Sequence, residues 1–138
     1  MHLIHIPVAT VLFILLIRMC CMGDTYRTAT YPVADPSDGG SYLGLIKIME
    51  MAIAMSGPET KIIPGHGPVS SIDDLKKLRD MMIICNRVQH SIQEGKSLDE
   101  VLASKPTAEF DERWAFPERH FMSKEKMLGM FYKELSAQ

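Results

Sequence analysis

One apolar run constrains this chain more than any other feature. From Pro7 to Ile17 the sequence reads PVATVLFILLI, and between Met1 and Gly23 the only formally charged side chain is Arg18. Such a run is driven out of water, and its length decides how. A membrane-spanning helix needs about 20 such residues, and this run is about half of that. A signal segment wants a positive start and a small-residue cleavage site. Here the start is MHLIH, without Lys or Arg, and RMCCM is a poor place to cut. Val, Ile, Leu and Phe dominate the run, which suits one or two strands buried on both faces. A signal or anchor segment is the alternative.

The rest of the composition suits a single ordinary domain. In 138 residues 46% are hydrophobic, enough to build a core without a disulfide scaffold. Fifteen basic residues face 17 acidic ones, for a net charge of -2. That balance offers no electrostatic attraction to nucleic acid or to an acidic membrane, so neither is expected as a partner. The three cysteines include the adjacent pair Cys20–Cys21 and form no C-x-x-C motif. They make neither a disulfide framework nor a zinc knuckle, and Cys20 and Cys21 read as buried small hydrophobes.

Residues 23–41, GDTYRTATYPVADPSDGGS, read as a long loop by their Gly, Pro, Asp, Ser and Thr content. A helix follows to about Ser56, with Leu45, Ile48, Ala52 and Met55 at helical spacing. A short strand from Thr60 to Ile63 then stops at PGHGP, residues 64–68, read as a rigid turn. Ser71 reads as the cap of a helix running to about Glu94, with Leu75, Leu78, Met82, Cys85, Val88 and Ile92 as its core stripe. Gly95 reads as the residue that ends it. Ser97 caps a short helix, and FDERWAFPERHF reads as irregular. A final helix spans about Ser123 to Leu135, with Met127, Met130 or Phe131, and Leu135 facing inward.

Two residues stand out chemically. Asp24 follows a glycine at the end of the apolar run, and His66 stands between two glycines after a short strand. Both positions are strand-to-loop transitions, where α/β proteins place their sites. Glycine lets the backbone bend and lets a ligand approach closely. Carboxylate and imidazole are both ligands for a zinc-class metal. Taken singly, each motif reads as a turn or a surface loop.

In combination they do more. MGDTY, YPVADPSDGGS, IIPGHGP and LKKLRDMM occur in this order, followed by EGKSLDEVLASKPTAEFDERW and PERHF…FYKEL. This series resembles the C-terminal half of the metallo-β-lactamase-fold hydrolases, and the later segments resemble the tail of one bacterial branch of them. The resemblance covers about residues 5–135. It implies an α/β fold, namely the C-terminal half of an αβ/βα sandwich with a C-terminal helical tail. Residues 1–70 would carry the strands, the metal-site loop, a helix and the Gly-His-Gly loop, and residues 71–138 the helical remainder of the same domain. It implies a zinc-dependent hydrolase with one or two zinc ions, Asp24 and His66 being ligands of one of them. In such an enzyme a metal-bound hydroxide attacks a carbonyl or an ester of a small-molecule substrate.

The chain also departs from the family pattern. The main ligand string, His-x-His-x-Asp-His, is absent; the histidines are His2, His5, His66, His90 and His120. The pattern also places a ligand histidine after the Ala of an H-x-P-x-A segment; here HIPVA occupies residues 5–9 and Thr10 follows. The chain therefore reads as a truncated and internally shortened relative, of cytoplasmic or exported periplasmic location. Its partner would be a second copy or the missing N-terminal half. The alternative function is a non-catalytic remnant that binds through the apolar sheet face the missing half would cover.

The remaining candidates read as structural. His2 and His5 read as strand-end residues, with a third-ligand role as the alternative. His90 and His120 read as surface residues, and Trp114 as a packing anchor. Tyr26 and Tyr31 read as pocket-lining or loop-packing, and Asp35 and Ser37 as loop anchors.

Overall fold

The structure is a computed structural model. It describes the backbone of residues 12–14 and all of residues 18–34, 39–116 and 122–137. Strands β1 (Leu12–Ile14), β2 (Met19–Arg27), β3 (Lys61–His66) and β4 (Ser70–Ser71) form one sheet in the order β1-β2-β3-β4. β1 and β4 are antiparallel to their neighbours, whereas β2 and β3 are parallel. Parallel neighbours need a crossover. Helix α1 (Tyr42–Met55) supplies it, so the centre of the sheet is a βαβ unit and the fold is mixed α/β. Five further helices follow: α2 (Ile72–Met81), α3 (Ile83–Gln93), α4 (Leu98–Ala103), α5 (Asp111–Trp114) and α6 (Lys124–Ser136).

The core lies on one face of the sheet. Cys20 and Met22 of β2 and Ile62 of β3 are fully buried, while Met19, Cys21 and Ile63 on the opposite face are only half-buried. This is the period-two alternation of a strand. α1 packs on β2 and on α2, and α2 packs on β3. Leu45, Met49 and Ala52 of α1 and Leu75 and Leu78 of α2 fill the space between. α6 packs on α3 and α4, adding Met127, Leu128 and Phe131 to the same core.

Serine caps set the helix starts. Ser41 and Ser123 accept from the backbone N–H groups of Gly44 and Lys126. Ser71 and Ser97 form capping boxes with Asp74 and Glu100. Gly95 lies just past α3 at φ +76°, the left-handed geometry of a helix end.

Four expectations need correction. Strand β2 runs past Gly23 to Arg27 where a loop was expected, because its ladder with β3 continues: Gly23 pairs with Pro64 and Arg27 with His66. For the same reason β3 continues through Pro64 to His66, where a turn was expected. The helix expected over 71–94 breaks at Met82 into α2 and α3. The Met82 N–H bonds to the Arg79 carbonyl at 3.1 Å and the Cys85 N–H to the Met82 carbonyl at 3.0 Å, so a tighter i→i+3 turn separates the two helices. Met55 is 60% exposed and Met49 takes the expected inward place on α1. In addition, Asp111–Trp114 forms a helical turn within the stretch read as irregular. Of the apolar run, Leu12–Ile14 pairs with β2 as a strand; its remaining residues, with His2, His5, Asp35, Ser37 and His120, lie outside the described residues. Among the described residues no helix is long and apolar enough to cross a membrane.

Candidate metal centre

The C-terminal ends of β2 and β3 bring together the two residues singled out by their motifs. Gly23, at φ +53°, lies where the register of β2 against β3 shifts, immediately before Asp24. Asp24 Oδ1 and His66 Nε2 stand 3.1 Å apart, with the side chains 77% and 57% exposed. The glycines on either side of His66 make this approach possible. A Cβ on Gly65 would lie 2.7 Å from the Asp24 nitrogen and the Gly23 carbonyl carbon, and would collide with Asp24 Oδ1. A Cβ on Gly67, which has φ +102°, would collide with Thr28 Oγ1. The Thr28 N–H donates to the His66 carbonyl at 3.3 Å and ties the strand ends together.

This geometry suits two ligands of one zinc ion. Donors sharing a tetrahedral zinc at about 2.0–2.1 Å stand about 3.3 Å from each other. An exposed carboxylate–imidazole pair otherwise contributes little to stability, so the close packing of Gly65 and Gly67 is not explained by the pair alone. Two ligands do not complete a site. Among the described residues no group of three or more His, Cys, Asp or Glu could hold a metal.

The other candidates are placed elsewhere. His90 is on the exposed side of α3, 3.5 Å from Glu94. Trp114 is buried against the Arg113 guanidinium, 4.9 Å from its ring. Tyr26 and Tyr31 are core residues. The Tyr26 hydroxyl accepts from Ser70 Oγ at 2.9 Å, and burial raises its pKa. Tyr31 donates to Asp111 Oδ1 at 2.8 Å, and its N–H donates to the Trp114 carbonyl at 2.7 Å. Cys20 and Cys85 are buried, and burial pushes their thiols up to about 11 and about 12. Burial thus disfavours their thiolate forms. Cys21 is half-buried.

Arg27 and Thr28 are the residues that sequence reasoning passed over. They follow Asp24 closely, but the polar composition around them reads as loop. Only the ladder between β2 and β3 sets them beside His66. No protein-family model matches the chain, and no curated protein matches it.

Proposed function

We propose that this chain is the C-terminal portion of a metallo-β-lactamase-fold hydrolase, in which Asp24 and His66 are two ligands of a zinc ion. The observation that carries this reading is the 3.1 Å approach of Asp24 Oδ1 to His66 Nε2 at the ends of two parallel strands. The one-sided sheet also supports it. Helices α1 and α2 cover the face of Cys20, Met22 and Ile62, and the half-buried face of Met19, Cys21 and Ile63 is the one a second sheet would cover. One half of an αβ/βα sandwich would be layered in this way. Zinc bound there would act as a Lewis acid and would acidify a water to near neutrality for attack on a small-molecule carbonyl or ester. Asp24 and His66 would hold the metal and fix its position at the sheet edge. Gly65 and Gly67 would hold the two ligands in register. The remaining ligands come from outside the described residues, either elsewhere in the chain or from a partner.

Elemental mass spectrometry of the purified chain tests this. The reading expects about one zinc per chain, lost in both Asp24→Ala and His66→Ala. No zinc in the parent chain would overturn it. The half-buried face of Met19, Cys21 and Ile63 offers a second reading, a non-catalytic remnant that binds a partner through it. An oligomeric chain without zinc would support that one.

A further inference from the structure

Helix α1 is apolar on both of its sides. Its inward residues Tyr42, Leu45, Met49 and Ala52 are buried in the core. Its outward face carries Lys47, Glu50, Met51, Ala54 and Met55, all of them exposed. Met51 and Met55, one helical turn apart, are 63% and 60% exposed. Among the described residues no other large apolar side chain is as exposed as these two. The exposed side of α2 is built differently, from Asp73, Lys77 and Asp80. A helix that is apolar all round is ordinarily covered all round.

The charges on this face indicate what covers it. Lys47 and Glu50 are the only charged residues of α1. Among the described residues neither forms an ion pair. Being of opposite sign and close along one face, they make that face complementary to itself. In an antiparallel pair of α1 helices, with the two-fold axis between Ile48 and Met49, Lys47 of each copy stands opposite Glu50 of the other. The same register sets Leu43 opposite Ala54, a large side chain against a small one, and Ile46 opposite Met51. A parallel pair in register would oppose like charges instead. We propose that α1 is the contact of a homodimer, in which two copies of this chain pack α1 against α1 in the antiparallel sense. Burial of Met51 and Ala54 supplies attraction, and the two symmetric Lys47–Glu50 pairs fix the register. One helix face is a small interface, so the dimer is weak. The contact lies on the side of α1 away from the sheet. It involves neither Asp24 and His66 nor the face of Met19, Cys21 and Ile63, and it stands or falls separately from the zinc reading.

The test is sedimentation equilibrium of the full chain over a concentration series from micromolar to millimolar. A monomer–dimer equilibrium is the expected result. Lys47→Glu alone, or Glu50→Lys alone, sets like charges opposite each other and should weaken dimerisation at least about tenfold. The double variant Lys47→Glu/Glu50→Lys restores opposite charges and should recover it. An equimolar mixture of the two single variants should recover it too, because each supplies the charge that the other lacks. Both positions are exposed, and the circular dichroism of each variant reports that the fold is kept. Zinc content of the same samples should not follow the charge reversals. A monomer at every concentration would overturn the proposal and leave the face to a different protein. A dimer indifferent to the single reversals would overturn it by placing the contact elsewhere, such as the face of Met19, Cys21 and Ile63. Failure of both the double variant and the mixture to recover dimerisation would overturn it as well.

Discussion

At the scale of single residues, glycine decides whether the candidate centre exists. Gly67 sits at φ +102° against Thr28 Oγ1, so Gly67→Ala meets both backbone strain and a collision. It should cost more than about 2 kcal/mol in chemical denaturation. Gly65 has no special dihedral, but its missing Cβ leaves room for the backbone of Gly23 and Asp24. Gly65→Ala should part the strand ends, lowering stability and zinc content together. Gly57 meets nothing within 4 Å, and Gly57→Ala should change stability by no more than about 0.5–1 kcal/mol. Equal effects at all three positions would remove the steric argument. The motif Gly-His-Gly was legible as unusual in the sequence. Its reason was not, because the atoms that forbid a side chain belong to Gly23 and Asp24 on β2 and to Thr28 just past it.

At the scale of elements, the inward faces of the helices follow from tertiary contacts more than from periodicity. Met49 is fully buried and Met55 is 60% exposed, although both lie on apolar faces of α1. Met49→Ala should cost about 2–5 kcal/mol, whereas Met55→Ala should stay within about 0.5 kcal/mol. Thermal or denaturant unfolding distinguishes them, and equal losses would mean that the face is misassigned. The start of α1 is held from a distance as well. Glu134 of α6 accepts from Ser41 Oγ at 2.6 Å and from the Tyr42 N–H at 2.8 Å. A carboxylate there meets the unpaired N–H groups and the positive end of the helix dipole. Glu134→Ala should therefore destabilise by about 1–2 kcal/mol. Glu134→Gln should lose less, since the amide oxygen still accepts.

At the scale of the whole molecule, one polar cluster joins the connection between β2 and α1 to the tail. Asp111 takes Tyr31 Oη at 2.8 Å and Lys124 Nζ at 2.7 Å, linking the segment after β2 to α5 and to the first turn of α6. Burial raises the Asp111 pKa, but hydrogen bonds from Lys124 and Tyr31 outweigh it and leave the carboxyl below its ordinary value. A carboxyl whose pKa is depressed on folding stabilises the native state above its unfolded pKa, about 3.9. That contribution is lost as pH falls through the lower folded pKa. Stability measured by denaturation from pH 6 down to about 2 should fall, and Asp111→Asn should flatten part of that slope. An unchanged slope in Asp111→Asn would place the acid sensitivity elsewhere.

The sequence by itself determined that Ser71 and Ser97 cap helices, that Gly95 ends one, that short strands alternate with amphipathic helices, and that Asp24 and His66 are chemically unusual. Those are local properties: a serine cap, a left-handed glycine or an apolar stripe is written within a few neighbouring residues. The extension of β2 to Arg27 and the inward side of α1 were decided by the tertiary structure. Each depends on a partner far along the chain. A strand continues only while its neighbour offers backbone groups to pair with. The 3.1 Å meeting of Asp24 and His66 belongs to both levels. Their residue types were visible in the sequence, but their distance follows from a parallel crossover that places two strand ends side by side.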